Sequence, residues 1–531
     1  MRTVPIHLGK GPQLFVDNHV IELVNFVTRT MHQPVKQVFN PVWKKDRPWE
    51  QVPFIRTNTW NVHWDEQEKI YKFWCEDLAW DYDEFMRLQG EGKGKAKREV
   101  AGIESFEKTI DNRLLYAESS DGIHWEKPEM DYRIVDGRRT SICFGNEQDG
   151  KIHACSILLD PFETDRSRRY KAIYWNSKHG LADSRIAVAF SRDGRRWAPC
   201  EERIRVGQIS DRLLGDVIIL TADATTGEYN LDTRGRAMQE PPTNPKHPTV
   251  TGWGPAYYPG DPIRMSKRRI FTSVSRDILN WPVLREMLAT DDVEDNLDDE
   301  YYGLVRFRIG DLHLGLLNVF ARTHNMLSVH LVHSRDGYNW NRVCRGKPFL
   351  ETGPPGAWDC YMAETCNVPL FLDDEIRVYY AGSNFHHDWW MFGEQEGLDV
   401  PEAHPGWNGG ETALGLATLR PEGFVSLDTT VREGVLGTHV FVSDGEHLVV
   451  NAACGPKGCL DVEIADANDD VIRGFERSAC DTFDGDSTAH VVTWNGKADL
   501  PRETIATGCK LRFYSQRCSL YSFNIVDEPR S

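Results

Sequence analysis

No apolar run in this sequence approaches the ~20 residues needed to cross a bilayer as a helix. The opening, Met1-Arg-Thr-Val-Pro-Ile-His-Leu-Gly9, lacks the apolar core of a signal peptide, so a cytoplasmic location is expected. Positive charge is in short supply: 62 Lys and Arg stand against 80 Asp and Glu, a formal charge of −18. A surface of that sign repels phosphate, which argues against nucleic acid and anionic membranes as partners and is silent about a neutral sugar. The twelve cysteines include no C-x-x-C pair and read as reduced thiols filling core space. Cys454 and Cys459 flank Gly-Pro-Lys-Gly, a spacing that admits a disulfide or zinc pair but reads first as a hairpin with two small buried side chains. There is no H-E-x-x-H, no G-x-S-x-G, no Walker loop and no G-x-G-x-x-G at a strand-to-helix turn. Hydride transfer, acyl transfer from a serine elbow and nucleoside triphosphate use are unsupported. No metal or cofactor is expected, a structural Ca2+ being left open.

What the sequence has in quantity is aromatic residues and turns. Its 531 residues hold 17 Trp, 17 Tyr and 23 Phe among frequent Gly and Pro, which fits an all-β protein of two or three domains. A hairpin signature, Ser-x-Asp-Gly-x-x-Trp, occurs at Ser119–Trp125, Ser191–Trp197 and Ser334–Trp340. A fourth copy, Ser275–Trp281, has Ile278 in place of Gly, and Pro421-Glu-Gly-Phe424 is a worn fifth. In each, a strand runs into a tight turn: Asp binds its own backbone, Gly takes the positive φ, and Trp is left to bury its indole. Successive copies lie roughly 60 to 85 residues apart, the length of a four-stranded propeller blade with its loops. The expected fold is an all-β, five-bladed β-propeller over 1–424, followed by a β-sandwich over 425–531. Short alternating runs such as His447–Asn451, His490–Trp494 and Lys510–Tyr514 mark the second part.

Along the chain, the alternating run Gln13–Glu22 is expected to close the ring by pairing with the last blade. Residues 81–108 read as a charged insertion, and Gly92–Arg98 as a solvated lysine-rich loop. Blade two is expected from Ile142 to Pro199. The loop Glu240–Pro262, with Trp253, Tyr257 and Tyr258, is a candidate lid or subunit contact, the latter implying a homo-oligomer.

In such a ring, inner strands line a funnel where acids distant in sequence can meet. The acids at the expected strand starts are Glu50, Glu147, Asp216, Asp299 or Glu300, and Asp359. Glycosidic cleavage needs one protonated carboxyl for the leaving oxygen and one ionised carboxylate to attack or to activate water. Crowded acids supply both states, because like charges drive one pKa up. The competing reading is that strand-start acids are ordinary turn formers, as the Asp residues of the signature must be. For substrate binding the candidates are Glu147, Arg234, Asp299, Tyr302, Trp358, His386 and Trp389. Trp358 and Trp389 are preferred for stacking on a sugar because each abuts an acid or a His.

Leu14–Glu22, Asn40-Pro-Val42, Pro48-Trp-Glu50, Ser334–Trp340 and Trp358-Asp359 resemble the five-bladed propeller glycoside hydrolases, of the invertase, levanase and arabinanase types. The resemblance implies carboxylate catalysis in the funnel, with Glu50 as nucleophile or base, Asp216 as acid or transition-state stabiliser, and Asp359 as third partner. The invertase motifs themselves are replaced: Asn40-Pro-Val, Gly215-Asp-Val and Ala363-Glu-Thr-Cys366 stand at the nearest places. The leading expectation is a glycosidase or glycosyl-transferring enzyme acting on a terminal sugar, with a carbohydrate as partner. A glycoside phosphorylase, with Arg56, Arg234 and Arg264 around phosphate, and a non-catalytic sugar-binding propeller are the alternatives.

Overall fold

Each intact copy of the signature closes the third strand of an antiparallel sheet, and its chemistry is what the residue types require. At Ser191–Trp197, Asp193 Oδ1 accepts the N–H groups of Arg195 (2.8 Å) and Arg196 (3.0 Å). Ser191 Oγ accepts the Gly194 N–H at 2.8 Å, Gly194 has φ +74°, and Trp197 Nε1 donates to Gly194 O at 3.1 Å. Ser334–Trp340 repeats every bond. In the worn fifth copy Glu422 takes the left-handed conformation at φ +59°. These positions come from a computed structural model that describes residues 4–528, apart from 10, 57, 81–109, 147, 151, 177–184, 203, 208–216, 239–265, 292–294, 297, 323, 388–398 and 404–409.

Among the described residues the chain is nearly all β, and no helix is long and apolar enough to cross a membrane. Five antiparallel sheets follow one another. Their first strands are Trp60–Asp65, Ile152–Leu159, Ile218–Asp223, Asp299–Ile309 and Met362–Glu364. Their second strands are Ile70–Trp80, Tyr170–Asn176, Glu228–Met238, Leu312–Ala321 and Ile376–Ser383. The fourth and fifth sheets are linked by a single parallel bridge, Leu327 to Met362. First strands are buried almost throughout because both their faces are covered, as at Asp299–Ile309.

Successive sheets are tied by buried polar contacts. Asp65 of the first binds Arg169 (2.7 Å) and Tyr170 of the second, and Asp160 of the second accepts from Tyr229 of the third at 2.6 Å. Arg306 of the fourth grips Asp232 of the third with two bonds (2.7 and 2.9 Å). Asn318 Nδ2 of the fourth donates to Thr365 O at 2.8 Å, and the Val62 N–H of the first sheet donates at 2.9 Å to Asn367 Oδ1, just after the first strand of the fifth. The circuit therefore returns to its start. The first strands of sheets one to four pack each on the next, and Arg56, just before the first strand of the first sheet, bonds to Met362 at the start of the fifth, so these strand starts lie at one end of the circuit.

Three expectations are corrected by the strand pairing. The strand that completes the fifth sheet is Val35–Lys36, paired with Thr418 and Ala417, and not 13–22. Gln13–Leu14 and Ile21–Asn25 instead join a ten-stranded sheet with the C-terminal region, as do Ile6–His7 and Thr28–Met31. That sheet is built on two long antiparallel strands, His447–Asp466 and Cys509–Val526. The N-terminal 30 or so residues thus belong with the region after 424, since their apolar side chains Leu14, Phe15 and Ile21 are buried in its core. Finally, Ile142–Phe144 pairs with Ile110–Ser119 and belongs to the first sheet, so the second starts at Ile152. The lysine-rich piece 92–98 and Trp253, Tyr257, Tyr258 and Arg264 lie outside the described residues.

Candidate functional site

The end of the circuit where the first strands begin gathers side chains from four of the five sheets. Arg56 enters from the first. Its N–H bonds to Thr59 Oγ1 at 2.9 Å, fixing the turn, and its guanidinium lies over Phe54 (5.1 Å) and Phe385 (5.5 Å). Arg56 Nη2 donates to His387 O at 3.1 Å, after the second strand of the fifth sheet. The His387 ring meets the Tyr302 hydroxyl through Nε2 at 2.6 Å, and the His387 N–H is anchored on Asn325 O at 2.9 Å.

Tyr302 is the hub. Arg234 of the third sheet lies 4.0 Å from its ring centroid and Arg268 lies 5.2 Å away, both attracted by the negative ring face. Two positions earlier on the same strand, Glu300 is fully buried between Arg268, on Oε2, and Arg322, on Oε1. A carboxylate held between two guanidinium groups fixes both cations. Three arginines therefore converge around one tyrosine and one glutamate, and Arg56 joins them through His387, in a chain of large negative charge.

Asp299, next to Glu300, is of another kind. It is buried, and Asn296 donates to its Oδ2 from both N–H and Nδ2 at 3.2 Å. Burial, reinforced by the charges of Asp298 and Asp295, raises its pKa above the usual carboxylate range, against the Asn296 bonds and Arg342. This is a carboxyl biased toward its protonated form. Between the first and second sheets, Glu76 is buried and orients half-exposed His153, accepting from its Nδ1 at 2.8 Å and from Asn112 Nδ2 at 2.6 Å.

Of the residues expected from sequence, Arg234 and Tyr302 are brought together, with Asp299 on the same strand end. The aromatic face of Tyr302 is occupied by guanidinium and is not a platform for a sugar. His386 is held by Glu402, which accepts its Nδ1 (2.7 Å) and its N–H (2.5 Å), and its ring lies 3.8 Å from that of Tyr361. Burial raises the Glu402 pKa, but the His386 bonds outweigh it and bring the carboxyl below its ordinary value.

Glu50 and Asp359 are each engaged by other groups and share no hydrogen-bond partner among the described residues. Glu50 Oε2 accepts the N–H groups of Asp46 (2.8 Å) and Arg47 (3.0 Å) and Lys127 Nζ (2.8 Å), locking a turn. Asp359 accepts from Lys36 at 2.5 Å and from the Tyr380 hydroxyl at 3.1 Å, so it clamps the closing strand onto the fifth sheet. Trp358 lies beside Tyr380, centroids 5.6 Å apart, over Gly382 and Gly415, where any side chain would collide with its ring. It packs on the sheet. Asp216, Glu147, Trp389 and Trp390 lie outside the described residues. Arg268 and Arg322 are missing from the sequence-based set, because an Arg at a strand end carries no local signature; only the fold shows that two of them face one glutamate.

No protein-family model matches the chain, and no curated relative matches its sequence. Among the solved structures it is similar to are three carbohydrate-active enzymes. One is β-1,2-mannobiose phosphorylase from Listeria innocua in complex with β-1,2-mannobiose, at 12% identity and TM-score 0.42, covering 73% of this chain and 96% of that one. Another is the catalytic domain of an α-L-arabinofuranosidase from Coprinopsis cinerea, at 12% identity and TM-score 0.41, covering 73% and 97%. A third is an N-acetylgalactosamine deacetylase from F. plautii in complex with blood group B trisaccharide, at 13% identity and TM-score 0.41, covering 75% and 96%.

Proposed function

We propose that the five sheets are the blades of a β-propeller, that residues 6–31 and 425–528 form a β-sandwich beside it, and that the chain is a glycosidase or glycosyl-transferring enzyme acting on a terminal sugar. The observation that carries this reading is the convergence of Arg56, Arg234, Arg268, Glu300, Tyr302, Arg322 and His387 at one end of the circuit. Cleavage requires one carboxyl to donate a proton, and burial beside two other acids shifts the Asp299 pKa upward. Asp299 is the proton donor in this account. Asp216, two positions in sequence before the strand Ile218–Asp223, is the ionised partner in this account. The fixed arginines and His387 orient hydroxyl or acidic groups of the substrate, and Glu50 and Asp359 hold the turn and the closing strand. A panel of aryl glycosides and fructans tests the reading: wild type releases product, and Asp299→Asn does not.

The arginine cluster favours a second reading, phosphorolysis. Four guanidinium groups suit an anionic co-substrate better than a neutral sugar alone. Turnover that requires inorganic phosphate, and that falls in Arg234→Ala, would select it over hydrolysis; product in phosphate-free buffer would select hydrolysis.

A further inference from the structure

Cys454 and Cys518 face each other across the two long strands of the C-terminal sheet, as direct Cα partners. The bonding around them defines the kind of pair. The Cys454 N–H donates away from Cys518, to Gly485 O at 2.8 Å. The Cys518 N–H donates to Thr429 Oγ1 at 3.2 Å and its carbonyl accepts the Thr429 N–H at 2.9 Å, both on its far side. This is the non-hydrogen-bonded type of antiparallel pair, in which Cα atoms approach to about 4.5 Å and side chains lie closest. Disulfides span Cα separations of about 4.4–6.8 Å. A hydrogen bond between the two thiols is the leading influence on the titration of both, and Cys454 Sγ lies 3.7 Å from Phe483 O. Cys459, the partner the sequence spacing offers, sits across the Gly455–Gly458 bulge opposite Gln516.

We propose that Cys454 and Cys518 are a thiol pair that closes reversibly to a cross-strand disulfide, with Cys454 as attacking and Cys518 as resolving thiol. Exposure assigns the roles: Cys454 is half-buried, whereas Cys518 is 2% exposed and cannot meet an oxidant first. The bond from Cys518 also draws Cys454 below the ordinary thiol range and pushes Cys518 up, which favours the thiolate at the accessible position. The oxidant is a small disulfide. Cys454 thiolate attacks one of its sulfurs, forming a mixed disulfide and expelling one thiolate. Cys518 then attacks Cys454 Sγ, the protein S–S bond forms, and the second small thiol leaves. The two protons of the protein thiols end on the two released thiols, and the two electrons reduce the small disulfide. Closure joins the sheet at the point where Thr429 brings the chain from the fifth sheet.

The test uses the folded full-length chain with oxidised glutathione, alkylation of remaining thiols and peptide mapping without reductant. The expected result is a Cys454–Cys518 linked peptide, lost on adding dithiothreitol and retained in Cys459→Ser. In Cys518→Ser the linked peptide disappears and glutathione stays on Cys454. Recovery of Cys454 and Cys518 both alkylated, or a Cys454–Cys459 link in wild type, would overturn the proposal.

Discussion

Acids occur in two settings in this molecule, and the contrast separates architecture from chemistry. In the signature turns, Asp121, Asp193 and Asp336 sit at the sheet edges and use their oxygens on backbone N–H groups of their own turn. Those bonds, preceded at Asp121 by the hydrogen bond from the His124 ring, draw all three below the usual carboxylate range against burial. Where the first strands begin, Glu300 is clamped between cations and Asp299 is buried with few donors, which raises its pKa. The same residue type is thus a permanent anion holding a turn in one place and a reluctant acid in the other.

The sharpest way to break that contrast is to neutralise one acid of each kind. Asp299→Asn should lower turnover about 10²–10⁴-fold, the usual contribution of a positioned general acid, while the melting temperature holds or rises because a disfavoured buried charge is removed. Glu300→Gln should cost about 3–5 kcal/mol in denaturant titration, since breaking a buried ion pair leaves Arg268 and Arg322 without their shared counter-charge, and turnover should fall with it. Asp193→Ala should cost about 1–2 kcal/mol through its lost N–H bonds and leave turnover per folded molecule unchanged. Asp359→Asn, which loosens Lys36 from the fifth sheet, should behave as Asp193→Ala does; lost turnover with unchanged stability would return Asp359 to the chemistry.

The acids also differ in the sign of their pH dependence. Asp193 has a depressed folded pKa, so its stabilisation is present above its unfolded value of about 3.9 and is lost as pH falls through the folded value. Asp299 is raised, so its contribution is complete below about 3.9 and is lost as pH rises through the folded value. Stability curves of wild type minus variant should therefore slope in opposite directions for Asp193→Asn and Asp299→Asn.

The architecture was legible in the sequence to the extent that local chemistry wrote it. The bonds that shape the Ser-x-Asp-Gly-x-x-Trp turns run between residues within seven positions of one another, so their repetition marks one sheet each. Strand pairing between the chain's two ends is not local. An alternating run such as 13–22 says that one face is buried and nothing about which sheet buries it, so the closing strand was misplaced by some 20 residues. The site suffered in the same way. Glu50 looked like a funnel acid because it precedes a strand, yet Lys127, 77 residues on, defines what it does. Arg268, Glu300 and Arg322 become a unit only when the third and fourth sheets are adjacent.

The most direct test is product release from aryl glycosides, with and without inorganic phosphate, by wild type, Asp193→Asn and Asp299→Asn side by side. A sugar-cleaving site at the strand-start end requires turnover in the first two and its loss in the third. Full turnover in Asp299→Asn, or no bond cleavage by wild type on any glycoside in either buffer, would contradict it.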